Sequence, residues 1–398
     1  MTRRILITGA SIAGNTAAWW LAQHGFAVDV VERAPAFRGG GQNVDVRGEG
    51  RQVLRRMGLE AAALARATGE QGTDWVDAQD RVIARFAVAD LGDGPTAELE
   101  ILRGDLAELI HAPTSERVTH RFGDHITAIA QDADAATVTF ASGQQARYAL
   151  VIVAEGVGSS TRELLFPGEN QPRWLDITLA YFSLPAVPGD GTFARQYNTT
   201  GGRGASLKPG PDNKVHAYIG VQKKPGDELE WNTAQQRRFL RETFADCAWQ
   251  FPRLLAGMET TEDFYFEVLR QVRMPRWSQG RVVLTGDAAW CATPMSGIGT
   301  TLAVVGAYVL AGEIASHADH RDAFAAYERR MRPFVREGQG VPKFLPRLLW
   351  PHSRAGLALL RGAMRVAGTP LVRKSFSTFF LRDSSKIQLP DYPLPATG

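Results

Sequence analysis

Cysteine is almost absent from this chain of 398 residues, which carries only Cys247 and Cys291, in unrelated contexts. No CxxC pair and no cluster of cysteine with histidine occurs, so the sequence predicts neither a structural zinc site nor a disulfide framework. We therefore expect no metal, and the simplest predicted location is the reducing environment of the cytoplasm.

Dense basic blocks and long apolar runs are also absent. The net charge of +3 is too small to indicate a nucleic-acid partner. The apolar stretch 302–314 is too short to cross a bilayer and contains Gly306 and Gly312, so it predicts a buried helix and no membrane span. An apolar share of 44% and a charged share of 22% are ordinary for a globular enzyme. The length suits two domains, or one large domain with an insertion.

What the N-terminus does contain is the pattern of a nucleotide-binding βαβ unit. Residues 4–8 predict a buried strand, and the glycine-rich turn that follows opens a helix. In such a turn the first Gly allows the bend, the second position admits a pyrophosphate, and the third lets the helix pack closely. Glu32 ends the next strand, where a carboxylate accepts hydrogen bonds from an adenosine ribose. The predicted contacts of the turn are Gly9, Ser11, Ala13 and Gly14.

A second strand ends in a similar way much later in the chain. Residues 281–284 predict a strand that runs into Gly286 and Asp287. An Asp at the carboxyl end of a strand can bind ribitol hydroxyls, and a helix beginning near Gly299 would direct free N–H groups at a flavin pyrimidine edge. Together the two glycine turns predict FAD rather than NAD. The predicted contacts of this second segment are Asp287, Pro294, Gly297, Ile298 and Gly299.

The rest of the pattern predicts an α/β fold with a β-rich insertion. Residues 175–272 contain short alternating runs separated by Gly, Pro and Asn turns, which predict an antiparallel sheet with a helix over 233–245. We predict a Rossmann-like FAD-binding domain in two parts (1–174 and 273–340), interrupted by a substrate domain (175–272) and followed by a C-terminal helical segment and tail (341–398).

The opening turn also resembles that of short-chain dehydrogenases. Those enzymes need a Tyr and a Lys four residues apart for proton transfer, and none of the eight tyrosines here has Lys at that spacing. This rival interpretation therefore fails on its chemistry.

The chain resembles the class A flavin monooxygenases of the para-hydroxybenzoate hydroxylase type. Three segments carry the resemblance: the turn 9–14 with Glu32-Arg33, the segment 154–162 ending in Ser-x-x-Arg, and the segment 286–299. The chain departs from the family pattern at Glu155, which replaces Asp, and at Trp290, Ile298 and Thr301, which replace His, Gln and Asn.

The resemblance implies further cofactor contacts. Arg103 would reach the FAD from an Arg-x-x-Leu helix, Arg33 would lie against the adenine, and Val44, Asp45 and Arg47 would belong to the loop beside the flavin ring. In length and in the run 41–48 the chain is more similar to the compact tetracycline-inactivating monooxygenases, whose C-terminal helix braces the two domains.

The implied activity is a hydroxylation. NADPH or NADH would reduce FAD, O2 would add at flavin C4a, and the hydroperoxide would transfer one oxygen atom to an aromatic or polyketide-like small molecule. No general base stands out, so no catalytic residue is assigned, and a monomer and a dimer both stay open. Because alternate residues of a strand share a face, the candidate substrate contacts are Arg195, Tyr197, His216 and Tyr218.

Two alternatives stay open from the sequence. The departures at Trp290, Ile298 and Thr301 leave room for a flavin reductase or oxidase of the same fold that does not hydroxylate. A flavin-binding sensor without turnover is the other. Halogenation and a Baeyer–Villiger enzyme with two dinucleotide turns are disfavoured, because the chain has no Trp-x-Trp-x-Ile-Pro segment and no second Gly-x-Gly-x-x-Gly turn.

Overall fold

A computed structural model describes residues 3–37, 39–91, 97–369, 372 and 387–395. The strands of this described part are β1 (Arg4–Thr8), β2 (Ala27–Glu32), β3 (Asn43–Asp45), β4 (Gly72–Val76), β5 (Val82–Ala87), β6 (Glu100–Leu102), β7 (Thr119–Phe122), β8 (Ile126–Gln131), β9 (Ala136–Phe140), β10 (Gln145–Tyr148), β11 (Leu150–Val153), β12 (Arg173–Pro185), β13 (Ala194–Thr199), β14 (Arg203–Pro209), β15 (Lys214–Gln222), β16 (Tyr265–Gln271), β17 (Ser278–Gln279) and β18 (Val282–Leu284).

The α-helices of the same part are α1 (Ile12–Gln23), α2 (Gly48–Arg56), α3 (Glu60–Ala65), α4 (Val88–Leu91), α5 (Arg103–Ser115), α6 (Ser160–Leu165), α7 (Thr233–Phe244), α8 (Phe251–Thr260), α9 (Asp287–Trp290), α10 (Gly299–Ser316), α11 (His320–Gly338), α12 (Leu345–Leu349) and α13 (Arg354–Ala367). Short 3-10 turns lie at Glu228–Glu230 and Pro294–Ser296.

A six-stranded sheet forms the nucleotide-binding half, in the order β17-β18-β11-β1-β2-β7. All pairs are parallel except β17 with β18. The central strands are buried because their residues are almost continuously apolar, as expected for a parallel sheet covered on both faces. The predicted α/β fold is confirmed. Its parallel strands bring the carboxyl ends of β1, β2, β11 and β18 to one edge, where ligands bind in such sheets.

A seven-stranded sheet faces that edge, in the order β16-β12-β15-β14-β13-β4-β5. Its pairs are antiparallel except β13 with β4. The helix predicted over 233–245 is α7, which begins with a capping box formed by Asn232 and Gln235. Strands β4 and β5 lie before the predicted insertion, so this sheet draws on residues 72–87 as well as on 175–272. The domain boundaries themselves stay a prediction.

The two faces of this sheet have different roles. One face packs against α7 and α8 through a buried cluster that includes Phe182, Tyr197, Phe244 and Phe251. The other face carries Tyr181 and Leu179 and belongs to a separate cluster. The latter face looks toward the nucleotide-binding half.

The C-terminal part contacts both halves. Leu360 and Met364 of α13 pack against Phe86 on β5. Further on, Tyr392 lies against α10, where a Cβ at Gly312 would come within 2.1 Å of the Tyr392 ring. The Tyr392 hydroxyl donates to Glu313 Oε1 at 2.6 Å.

Helix α10 is the buried helix that the apolar stretch predicts. By length and composition alone it could cross a membrane, but 72% of its apolar window is buried inside the protein. Trp20 of α1 contacts Tyr308 of α10 at a ring-centroid distance of 4.7 Å. We therefore interpret α10 as a core helix, since the buried helices of globular proteins can be equally long and apolar.

Candidate functional site

A cleft of about 1600 Å³ lies between the two sheets. Its walls come from the β1–α1 turn, the end of β2, the loop before α2, residues 154–158, residues 262–267 and the segment from Asp287 to Thr300. Most of the cofactor contacts predicted from sequence line this cleft, although they come from segments far apart in the chain. Among the described residues no group of His, Cys, Asp or Glu could hold a metal ion.

The β1–α1 turn has room only for glycine at two positions. Gly9 has φ +102°, and a Cβ there would lie 2.4 Å from the Ala154 carbonyl oxygen. A Cβ at Gly14 would lie 1.8 Å from the Gly9 carbonyl oxygen. The turn is anchored by Gly9 N, which donates to Val31 O at 2.8 Å. The first turn of α1 therefore presents its amides to the cleft, as an anion-binding helix end does.

Glu32 shapes the neighbouring end of the cleft. Its two carboxylate oxygens accept from Ala10 N at 2.9 Å and from Ala34 N at 2.8 Å, which leaves further lone pairs for a ribose. Arg33 beside it is exposed and lines the cleft. Phe37 and Phe122 line the same end and escaped the sequence analysis. Phe122 gave no local signal, because only the pairing of β7 with β2 brings it here.

Arg103 lies between the turn and the loop before α2. It is the first residue of α5, and its Nη1 donates to Ser11 Oγ at 3.1 Å. The loop passes so close that a Cβ at Gly41 would lie 2.9 Å from Arg103 Nε. A positive charge and a helix N-terminus thus meet at one point, which suits a pyrophosphate.

Asp45 and Arg47 form an ion pair inside this loop. Arg47 Nη2 donates to Asp45 Oδ2 at 2.7 Å, and Val44 between them lines the cleft. Burial raises the pKa of Asp45, and the charge of Arg47 opposes that rise. Thr301 on α10 accepts a hydrogen bond from Arg47 N at 2.9 Å, so this departure from the family pattern fastens the loop to the helix.

A Thr301→Val variant removes that hydrogen bond without changing the shape of the side chain much. We expect the free energy of unfolding to fall by about 1 kcal/mol, because the half-buried Arg47 N–H loses its acceptor. We also expect weaker FAD retention, measured as the ratio of flavin to protein absorbance after gel filtration. Thr301→Ser keeps the hydroxyl and is the control. Equal retention in both variants would contradict this role.

Glu155 holds the segment 154–162 in place. Its oxygens accept from Thr8 Oγ1 at 2.6 Å, Ser159 Oγ at 2.7 Å and Thr161 N at 3.0 Å. These bonds tie the end of β1 to the start of α6. Buried Arg162 continues the connection, because its Nη1 donates to Ala288 O at 3.2 Å. The second and third family segments are thus joined directly.

Asp287 faces the cleft at the end of β18, where the sequence predicts it. The packing is close, since a Cβ at Gly286 would lie 2.8 Å from the Ala13 methyl group. Asp287 is exposed, and the surface that it exposes faces the cleft. Desolvation by the surrounding cleft walls raises the pKa of Asp287 to about 6, and a hydrogen bond with Cys291 opposes the rise.

The segment that follows is strained and leaves one buried hydroxyl unpaired. Thr293 has φ +75°, which is costly for a β-branched residue and typical of functional sites. Its buried Oγ1 has no partner in the described part of the chain. Helix α10 begins without a side-chain cap. Pro294, Gly297, Ile298 and Gly299 all line the cleft here. A strained loop, an orphaned hydroxyl and an uncapped helix end fit an extended FAD with its ring at this end.

Trp290, the most conspicuous departure, points away from the cleft. It is 1% exposed and lies 4.4 Å from the Trp277 ring. Gly306 on α10 makes the room, since a Cβ there would lie 2.7 Å from Trp290 Cζ2. Trp290 is therefore accommodated within the core and is not among the residues that line the cleft.

The four candidate substrate contacts divide into two groups. Tyr218 lines the cleft, and its hydroxyl accepts from Asn43 N at 2.7 Å and donates to Asn43 Oδ1 at 3.1 Å. His216 lies on the same face of β15 as Tyr218 but is buried, and this burial lowers the pKa of the His216 ring.

Arg195 and Tyr197 are corrected by the structure, because their side of β13 faces α7 and α8 and not the cleft. Tyr197 stacks on Trp249 with ring centroids 5.1 Å apart. Arg195 donates to the Gly189 carbonyl and pairs with Asp80. Cleft-lining residues that the sequence analysis missed on this sheet are Lys208, Tyr265 and Glu267.

Comparisons with known proteins agree with this geometry. A family model described as an FAD binding domain matches residues 2–338. The FAD-dependent monooxygenase asL4 of Sarocladium schorii is 32% identical over 424 residues, covering 98% of this chain and 98% of that protein. The crystal structure of tetracycline destructase Tet(51) has a TM-score of 0.83 at 28% identity and covers 98% of this chain and 100% of its own.

A more distant structure shares the fold. Klebsiella pneumoniae HpxO, complexed with FAD and uric acid, has a TM-score of 0.78 at 21% identity, over 95% of this chain and 97% of that one. Both the family model and the full-length relative span most of the chain. This chain therefore belongs to the class A FAD-dependent monooxygenases of the para-hydroxybenzoate hydroxylase type.

Proposed function

We propose that this enzyme consumes NADPH or NADH to insert one atom of O2 into an aromatic or polyketide-like small molecule. The observation that carries the proposal is the single cleft in which both glycine turns meet an aromatic sheet wall. The oxygen-transfer route that the family resemblance implies is part of this proposal.

The residues would share the work of holding FAD. The amides of the β1–α1 turn, together with Arg103, would bind the pyrophosphate, and Glu32 the adenosine ribose. Asp287 would take the ribitol hydroxyls, and the uncapped start of α10 would favour negative charge on the flavin ring. FAD, when bound, supplies the activation of oxygen.

Apolar side chains would exclude water from the reacting end. Trp75, Phe86, Leu349 and Met364 line the cleft from β4, β5, α12 and α13. Their position supports a role of the C-terminal helices in enclosing the substrate, since water must be kept out if the oxygen is to reach it. Tyr218, joined to the flavin loop through Asn43, would couple the substrate wall to the cofactor.

The substrate class rests on the shape of the wall and on the relatives. The tetracycline destructase likeness favours a fused-ring polyketide, and tetracycline inactivation is one candidate activity within this class. A cytoplasmic location is part of the proposal too.

The test is a coupled assay on the yellow holoenzyme with a panel of phenols and fused-ring polyketides. A true substrate should accelerate NADPH or NADH oxidation, with matching O2 uptake and a product heavier by one oxygen atom. Hydrogen peroxide formed in the same amount as NAD(P)H consumed, with every compound unchanged, would contradict hydroxylation and favour the oxidase alternative.

A further inference from the structure

The cleft wall formed by β16 carries an acidic group that cofactor binding does not use. Tyr265 and Glu267 alternate along this strand and both line the cleft, while Phe266 between them packs into the opposite cluster. Asp287 lies across from them on the cofactor side of the cleft, and its charge acts on Glu267. Glu262 and Asp263, just before β16, line the same wall. The substrate side of the cleft is therefore acidic.

Tyr265 lies two residues before Glu267 on the same face of β16 and begins a row of three tyrosines on paired strands. The residue directly opposite Glu267 on β12 is Leu179. Tyr181 pairs with Tyr218 on one side and with Tyr265 on the other. The Tyr181 ring lies edge-on to Tyr218 at 5.0 Å between centroids, and 5.9 Å from Tyr265. A group of electron-rich rings beside a carboxylate is the arrangement that binds organic cations.

The hydroxyl of Tyr181 is a second, independent sign of a missing ligand. Tyr181 is only 4% exposed, yet its Oη has no hydrogen-bond partner within the described residues. Burial raises the pKa of Tyr181, and the charges of Glu267, Tyr218 and Tyr265 add to that rise. A buried hydroxyl left unpaired is costly unless something else satisfies it.

Two positive groups of the cleft, Lys208 and Arg47, are engaged with other carboxylates, and Arg103 donates to Ser11 Oγ at 3.1 Å. Lys208 pairs with Glu100 at 2.6 Å and with Glu70 at 3.2 Å. Arg47 pairs with Asp45 in the loop near the cofactor. In the described part of the chain no hydrogen bond or ion pair engages the Glu267 carboxylate, and Arg270 on its strand lies over the Trp174 ring instead.

We propose that the substrate carries a protonated amine in addition to its oxidisable ring, and that Glu267 binds this ammonium group within the tyrosine cluster. The inference rests on the proposed function, because it names the substrate class of the same cleft. An ammonium donates to the carboxylate and to Tyr181 Oη, and its charge lies against the tyrosine rings. A neutral compound of the same shape lacks the part of the binding free energy that depends on the charge.

The binding should depend on pH in a defined direction. Burial and the charge of Asp287 raise the pKa of Glu267 to about 7, while Arg270 opposes them. Asp287, whose pKa is raised to about 6, also loses its proton near the lower end of this range. Cys291 and the three tyrosines stay neutral, because burial raises the pKa of Cys291, and burial and nearby acidic groups raise those of the tyrosines. Amine affinity should therefore increase from about pH 6 to about pH 8, as Glu267 loses its proton.

The test is a titration of oxidised holoenzyme followed by the flavin absorbance difference, which needs bound FAD but no turnover. Two matched pairs serve as probes: tyramine against 4-(2-hydroxyethyl)phenol, and tetracycline against its analogue without the dimethylamino group. In at least one pair the amine should bind about tenfold more tightly, which is a difference that one well-placed charge supplies.

Variants identify the residue. Glu267→Gln should reduce the preference for the amine over its neutral analogue to about twofold or less. Glu267→Asp, which keeps the charge, should retain most of this preference. Glu116→Gln, at an exposed acid that does not line the cleft, should leave the preference for the amine unchanged. Absence of an amine preference in both pairs, including failure to bind, would overturn the inference, as would an unchanged preference in Glu267→Gln. Lack of FAD uptake would instead overturn the proposed function itself.

Discussion

The Gly14→Ala variant should be colourless after purification. In an exposed helix Ala would stabilise the chain by about 1 kcal/mol relative to Gly. Here the added methyl carbon would lie 1.8 Å from the Gly9 carbonyl oxygen, a backbone atom that cannot move alone. Gly9 is itself fixed by its bond to Val31 O and by contact with Ala154. The turn must therefore open, and the amides aimed at the pyrophosphate lose their alignment.

We expect FAD affinity to fall by at least about a hundredfold, which corresponds to about 2.7 kcal/mol of binding free energy. The measurement is the flavin-to-protein absorbance ratio, followed by titration of the apoprotein with FAD. Gly362→Ala is the matched control, because a Cβ at this position of α13 meets nothing within 4 Å. A Gly14→Ala protein with normal FAD content would show that the turn is not the cradle.

Local patterns predicted the cofactor half because its contacts follow from short stretches of sequence. A strand, a glycine turn and a helix occupy adjacent residues, so Gly9, Gly14 and Glu32 could be placed from spacing alone. The carboxyl end of β18 fixed Asp287 in the same way. Gly9, Glu32 and Asp287 line the cleft because parallel strands bring their carboxyl ends to one edge.

The substrate wall was harder to predict, because the alternation of residues along a strand shows which of them share a face of the sheet. It does not show which of the two faces lines the cleft. Tyr197 and Tyr218 both belong to alternating runs rich in aromatic residues. Only the packing of α7 and α8 decides that Tyr197 is core and Tyr218 lines the cleft. Helix α8 and the addition of β4 to the sheet depend on contacts between segments far apart in sequence. Glu267 was missed for the same reason.

The departures from the family pattern show that a motif taken alone does not predict how a substituted residue packs against distant parts of the chain. Trp290 departs from the motif, but its partner Gly306 lies on the next long helix and makes room for its ring. Thr301 changes the side chain yet still connects α10 to the loop at Arg47. Neither change therefore gives a structural reason to favour an oxidase over a hydroxylase.

Replacing Lys208 by Met should destabilise the protein more than any other surface-accessible change we consider. Lys208 neutralises two carboxylates whose side chains are 0% and 3% exposed, those of Glu70 and Glu100. Burial alone would lower the pKa of Lys208, but the charges of Glu100 and Glu70 outweigh it and raise that pKa well above the usual value. Burial would likewise raise the pKa of Glu100, yet Lys208 keeps it lowered.

The sign of the pH dependence follows from these shifts. In the wild-type protein, Glu100 has a lowered pKa in the folded state, so its stabilising contribution is present at neutral pH and is lost only as the pH falls through that lowered pKa. Without Lys208 the two carboxylates become buried and unpaired, and burial then raises their pKa values. The loss of unfolding free energy in the variant should therefore be largest near neutral pH and should shrink as acid protonates both groups.

We expect Lys208→Met to lower the free energy of unfolding at neutral pH by about 3–5 kcal/mol, the usual effect of breaking a buried ion pair by removing one partner. Urea unfolding of FAD-saturated protein at several pH values measures it. Arg66→Ala, which breaks the exposed pair with Glu108, is the control and should cost less than about 1 kcal/mol. A deficit that stays constant on acidification would mean that lost packing, not unpaired charge, causes the instability.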